Sequence, residues 1–148
     1  MFKVHITLGC LFLFYFNFLV CFAKFNNHNT FNLSSVELID CYDGDTCRFN
    51  ILDSHFPQYL NPMSIRVYGV DTKEMKSKNL QDKEKAIEAK SFTINFVKVA
   101  NKDLKLINCI KDKYFRFDCD FTFKDKNLAQ ELINNNLAIP YFGGKKSN

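Results

Sequence analysis

Residues 114–123 read YFRFDCDFTF, the most regular alternation in the chain. Phe115, Phe117, Cys119, Phe121 and Phe123 fall on one face of an extended strand; Tyr114, Arg116, Asp118, Asp120 and Thr122 fall on the other. Successive side chains of a strand point to opposite sides of its sheet, so this stretch packs one face on a core and turns the other to solvent or a ligand. Cys119 then belongs to the core row, as a buried thiol or a disulfide beneath the sheet.

Working outward, 104–110 reads as a further strand. Before it, 82–100 reads as a helix, with Ala86, Ala89, Phe92, Phe96 and Val99 recurring at three- and four-residue spacing on a charged background. Asp82, followed three residues on by Lys85 rather than an acid, makes half a capping box. Three strands precede the helix: 36–40, 46–51 and 64–70. In the second, Cys47, Phe49 and Ile51 alternate with Arg48 and Asn50; in the third, Ile65 and Val67 oppose Arg66 and Tyr68. Residues 52–63, with Pro57 and Pro62, connect them, and 73–81 form a charged loop. Downstream, a turn at 124–126 leads to a short helix capped by Asn127, with Leu128, Leu132 and Ile133 on its buried face. Three strands, a helix, two strands and a helix predict an α+β fold with a small five-stranded OB-type β-barrel and two or three helices.

The N-terminus stands apart from this domain. Residues 1–23, MFKVHITLGCLFLFYFNFLVCFA, combine Lys3, an apolar run and small residues before Lys24, the pattern of a secretory signal peptide cut after Ala23. The competing readings are an uncleaved membrane anchor, since the run from Ile6 to Ala23 nears spanning length, and a lipid-anchored Cys21. The expected organisation is a signal at 1–23, a flexible polar leader at 24–34, one domain at 35–144 and a basic tail at 145–148. The chain has 148 residues and a formal charge of +4, which loss of Lys3 with the signal lowers by one. That mild excess permits a polyanionic partner without demanding one. The richness in Asn, Lys, Ile and Phe reads as base-composition bias. Cys41, Cys47, Cys109 and Cys119 remain after the signal, an even set that suits disulfides in an exported protein, with three pairings open. Zinc is disfavoured: there is no C-x-x-C pair, and His28 and His55 lie near no cysteine.

At 41–47 the chain reads CYDGDTC, with Asp43 and Asp45 on either side of Gly44. Asp-Gly is a strong turn signal, so a plain turn is one reading; a hard divalent cation held by the carboxylates is the other. A tip of Asp43 and Gly44 alone would set Cys41 opposite Thr46, whereas a tip of 43–45 sets it opposite Cys47, so a Cys41–Cys47 bridge requires the longer turn. In IRVYGVDTKE, Arg66 lies on the polar face of the third strand, and Asp71 and Glu74 follow its end. Asp45 opens the strand that should pair with it, so two groups of carboxylates at strand ends can face each other.

VELIDCYDGDTCRF, IRVYGVDTKE and DKYFR, in this order, closely resemble the three signature stretches of the staphylococcal nuclease-like (thermonuclease) family, and the likeness runs from about Val36 to Gly144. The resemblance implies a calcium-dependent endonuclease that hydrolyses DNA and RNA at the 5′ P–O bond and leaves 3′-phosphate ends. It implies Asp45 and Asp71 as calcium carboxylates, the backbone carbonyl of Thr72 as a further ligand and Asp43 as an outer-shell acid. Glu74 corresponds to the acid drawn as general base, and Arg66 and Arg116 to the guanidinium groups that hold phosphate. Lys113, Tyr114 and Tyr141 correspond to positions lining the nucleotide pocket. Two residues depart from the pattern. Lys73 stands where many members carry proline, and Phe115 replaces the usual glycine before the second arginine. If that position needs a positive φ, phenylalanine meets a steric cost there.

Each residue also has a plainer reading. Glu74 lies in the charged run KEMKSK, Arg66 and Arg116 could pair with Asp118 or Asp120 at the surface, and Tyr114, Tyr141 and Lys113 could be edge aromatics and a solvated lysine. The rival function is a catalytically inactive OB-type nucleic-acid-binding module; an exported structural protein framed by disulfides is a third. The chain is expected to be a monomer, secreted or periplasmic, and at a membrane only if the N-terminal segment is retained.

Overall fold

The alternating stretch at 46–51 forms strand β3 (Thr46–Ile51), with Cys47, Phe49 and Ile51 buried and Arg48 exposed. In the computed structural model, which describes residues 29–143, β3 pairs antiparallel with β2 (Val36–Cys41) on one side and β4 (Met63–Val67) on the other. Strand β4 continues the sheet by parallel pairing with β7 (Phe117–Phe123), β7 pairs antiparallel with β6 (Lys105–Lys111), and β6 with β1 (Phe31–Leu33). A short arm, β8 (Lys126–Asn127), adds to β7. A separate ribbon joins β5 (Val70–Thr72) to β9 (Ala138–Pro140).

The main sheet thus runs β1-β6-β7-β4-β3-β2, with β1 and β2 at opposite edges. Yet only Ser34 and Ser35 link them in the chain. Because each residue reaches at most about 3.3–3.6 Å, the two edges must approach each other and the sheet must curl. The fold is α+β, with a curled mixed sheet of six main strands, a half-barrel, and two α-helices. A closed five-stranded barrel, as expected from the strand count, is not formed among the described residues: no ladder joins β1 to β2.

Strand β1 falls within the segment expected as a flexible leader. Leu33 is buried, the Phe31 ring meets that of Phe117 edge-on at 4.9 Å, and the Asn32 side chain accepts from the Asn108 N–H. Three ordered residues in an Asn-rich run leave too short a pattern to read. Residues 24–28 of that leader, the expected signal and the tail at 145–148 lie outside the described residues.

Helix α1 (Leu80–Ala100) starts earlier than its apolar stripe, because Asn79 caps it by accepting from the Asp82 N–H. Its buried face is Ala86, Ala89, Thr93, Phe96, Val97 and Ala100, while Val99 points to solvent. The polar Thr93 hid the true stripe. Helix α2 (Leu128–Asn134) is capped by the Asn127 side chain, as expected, and buries Leu128 and Leu132.

Two strands are shorter than their alternation. Strand β4 ends at Val67, and the chain turns at Tyr68 and Gly69 (φ +82) before β5. Likewise β7 begins at Phe117, not at Tyr114. The chain must reverse between β6 and β7, and it does so where the Asp112 N–H donates to the Arg116 carbonyl at 3.0 Å. Phe115 therefore leaves the core row: it has φ +59 and is 63% exposed. Cys119 keeps its place there and bonds to Cys109 across β6 and β7; Cys41 bonds to Cys47.

Candidate active site

The β2–β3 hairpin pairs Cys41 with Cys47, and the Tyr42 N–H donates to the Thr46 carbonyl at 2.8 Å. The tip is therefore 43–45, the longer of the two turns. Gly44 is needed here for space: a Cβ would stand 2.6 Å from Ala89 Cβ and 2.9 Å from Thr72 Cγ2. Thr93 on α1 donates its hydroxyl to the Gly44 carbonyl at 2.6 Å, and the Val67 N–H donates to the Asp45 carbonyl at 2.7 Å. Helix and neighbouring strand thus hold the tip from two sides.

That grip aims Asp45 inward, where it is 1% exposed. Its Oδ1 accepts from Arg66 Nη1 and from Thr46 Oγ1, each at 2.8 Å, and its Oδ2 from the Thr72 N–H at 3.0 Å. Asp43 turns back, accepting from the Asp45 N–H at 3.2 Å. Arg66 Nη2 donates to the Val70 carbonyl at 2.8 Å and to Asp71 Oδ1 at 3.0 Å. Two carboxylates from separate strands therefore converge on one guanidinium.

Burial, then repulsion from Asp43, pushes the Asp45 carboxyl up to about 7, against the pull of Arg66 and the Thr72 N–H. Burial alone would lower Arg66; Asp45 and Asp71 outweigh it and raise it, so the guanidinium keeps its charge. Burial thus disfavours the ionised form of Asp45, the form that a cation needs. This bears on a cation. Among the described residues no ready-made group of three or more His, Cys, Asp or Glu side chains is gathered. The donors nonetheless fit a hard divalent ion: Asp45 and Asp71 already meet at one positive group, and the buried Thr72 Oγ1 has no hydrogen-bond partner.

Asp71 also belongs to the wall of a cavity of about 1020 Å³, with Thr72, Glu74, Lys85, Tyr141 and Phe142. Asp45, Arg66 and Arg116 do not line it. Glu74 sits in the exposed loop after β5, with its carbonyl accepting from the Ser77 N–H at 3.0 Å. Lys73 ties that loop to α1 through Asp82 at 3.0 Å. Tyr141 lies beside Arg66, whose Cζ is 5.8 Å from its ring centre.

Arg116 stands apart from the Asp45–Arg66–Asp71 group. Its Nε donates to Asp112 Oδ2 at 2.6 Å and lies 4.0 Å from Asp118 Oδ1. Tyr114 is exposed in the same turn, its ring 5.0 Å from Lys113 Nζ and 5.3 Å from Arg116 Cζ. The structure thus brings Asp43, Asp45, Arg66, Asp71, Thr72 and Tyr141 together; it puts Glu74 on the shared cavity, and Lys113, Tyr114 and Arg116 on a neighbouring turn.

Sequence reasoning overlooked Thr93 and Asp112, and read Asp118 only as a surface partner. Asp112 carries a local signal, four residues before Arg116. Thr93 carries none, because its partner Gly44 is distant in the chain. No family model matches the chain, and no curated protein matches it.

Proposed function

We propose that the chain is an exported, calcium-dependent phosphodiesterase that cuts DNA and RNA on an OB-type, barrel-like sheet, giving 3′-phosphate ends. The observation that carries this reading is the convergence of Asp45 and Asp71 on Arg66, within 2.8 and 3.0 Å. The resemblance of VELIDCYDGDTCRF and IRVYGVDTKE implies Asp45 and Asp71 as calcium carboxylates and Arg66 as a phosphate ligand, and these three side chains lie together. Asp45, Asp71 and the Thr72 carbonyl would hold the cation, with Asp43 behind them. A bound calcium ion supplies positive charge to a phosphoryl oxygen and to the attacking water.

The rest falls to the chain's own groups. Glu74, on the cavity shared with Asp71, takes the water's proton, a contribution of about 10²–10⁴-fold. Arg66 and Arg116 offer forked donors to the phosphate, which lysine cannot copy. Tyr141 beside Arg66, and Tyr114 with Lys113, offer faces and charge to bases and backbone without reading sequence. The two disulfides accord with export, and the signal at 1–23 with the route.

One observation favours the rival, a catalytically inactive nucleic-acid-binding module on the same fold: Arg116 is engaged with Asp112 rather than with the Arg66 group. Single-stranded DNA incubated with oxidised chain freed of residues 1–23 separates the two. We expect cutting that needs calcium, stops with chelator and falls by about 10²-fold or more in Glu74→Gln. Binding without cutting in the wild type would move the assignment to the silent module.

A further inference from the structure

Asp118 sits on β7 directly beside Arg66 of β4, in a parallel register that pairs Ile65 with Phe117 and Val67 with Cys119 on either side. Cross-strand neighbours share a face, so Asp118 faces the same side of the sheet as the arginine. Its Oδ1 is 4.0 Å from Arg116 Nε, sealed from solvent and without a hydrogen-bond partner. Buried carboxylate oxygens are normally satisfied, so an orphan needs a reason. Neither arginine supplies its bond: Arg66 donates to Asp45, Val70 and Asp71, and Arg116 Nε to Asp112. Asp118 acts on both by charge alone; burial and then the nearby Asp112 raise its own carboxyl above the usual range, and the two arginines offset part of that rise.

We infer that Asp118 is a specificity-determining residue: an internal carboxylate that weakens the hold of Arg66 and Arg116 on phosphate, and weakens it most for doubly charged phosphate monoesters. The inference rests on the arginines being the phosphate clamp of the proposed function. Coulomb repulsion scales with the ligand's charge. A diester carries one negative charge, whereas a terminal monoester at neutral to alkaline pH carries nearly two, so Asp118 penalises the cleaved end about twice as much as the intact strand. The device favours internal diesters as substrates and hastens departure of the end that carries the phosphate. A single like charge several ångströms away in a partly hydrated site is worth about tenfold in affinity.

The test compares binding of two ligands by calorimetry at pH 8, with calcium, in the disulfide-bonded chain carrying Glu74→Gln so that nothing is cut. One ligand is a thymidine dinucleotide with a single diester; the other is the same dinucleotide with a 3′-phosphate. Adding Asp118→Asn should tighten the first about tenfold and shift preference toward the second by about a further tenfold, while Asp118→Glu, which keeps the charge, should retain the original preference. Asp118→Ser serves if the asparagine variant does not fold. An unchanged preference in the neutral variants, a loss of affinity for both ligands, or no binding of either by the parent would overturn the inference. Cutting by the wild type is a separate readout: its absence counts against the proposed function and leaves the preference measurement to judge Asp118.

Discussion

Phe115 shows how one backbone angle can override a sequence pattern. The alternation of YFRFDCDFTF assigns it to the core row, but the chain must reverse between β6 and β7, and Phe115 takes the left-handed conformation that lets it do so. That conformation costs an L residue roughly 1–2 kcal/mol, and glycine returns about 0.5–1 kcal/mol of it as backbone entropy. Its ring is mostly exposed, with Lys111 Nζ 5.3 Å from the ring centre as a weak partner. Phe115→Gly should therefore stabilise the protein by about 0.5–1 kcal/mol in urea unfolding, and Phe115→Ala, which keeps the Cβ, should not. If the two variants unfold at the same midpoint, strain at this position is not the reason. Gly44 is the opposite case: its φ is unexceptional, and only the nearness of Ala89 and Thr72 demands glycine. Nothing within the turn itself announces that.

At the scale of elements, the polar run before β2 holds a strand that its composition conceals. Strand β1 covers β6, buries Leu33 and brings Phe31 onto Phe117. Burying a leucine is worth about 1.5–3 kcal/mol and an aromatic pair about 0.5–1.5 kcal/mol. A chain that begins at residue 35 should accordingly be about 3 kcal/mol less stable than one that begins at residue 29. Equal denaturation midpoints for the two would mean that β1 contributes nothing to stability. Helix α1 makes a related point. Its apolar residues reveal a helix, but the contact that matters to the site is the Thr93 hydroxyl on the Gly44 carbonyl, a polar group within the buried face.

Across the whole molecule, the site is assembled from the hairpin tip after β2, strand β4, the β5 segment and helix α1, so its stability and its ligand should be linked. A ligand that binds only the folded state stabilises it by mass action, about 2.7 kcal/mol at a hundredfold excess over its Kd. Calcium should therefore raise the melting temperature of the oxidised protein, and chelator should reverse the rise. The Cys41–Cys47 bridge closes the loop that carries Asp43 and Asp45, so Cys41→Ser with Cys47→Ser should bind calcium more weakly and show a smaller rise at the same concentration. A melting temperature indifferent to calcium would count against the cation at Asp45 and Asp71; an equal rise in the bridged and unbridged proteins would count against the loop's dependence on oxidation.

The α+β class, strand β3, the cap of α2, the existence of the two helices and the core place of Cys119 are all legible in the chain's residue pattern, because they depend on periodicity and short-range hydrogen bonding. That pattern also put Asp45 at the start of a strand predicted to pair with that of Arg66, and restricted a Cys41–Cys47 bridge to the longer turn. Three-dimensional packing was needed to establish which cysteines pair, where β4 and β7 begin and end, how far the sheet curls, and that Asp45 and Asp71 meet on Arg66. It alone set Asp118 between two arginines, one its neighbour across a parallel strand pair and the other in the turn that leads into its own strand. The division has a physical cause. Local patterns record which face of an element is buried, whereas the meeting of charges depends on strand order and on space between segments distant in the chain, which no local pattern encodes.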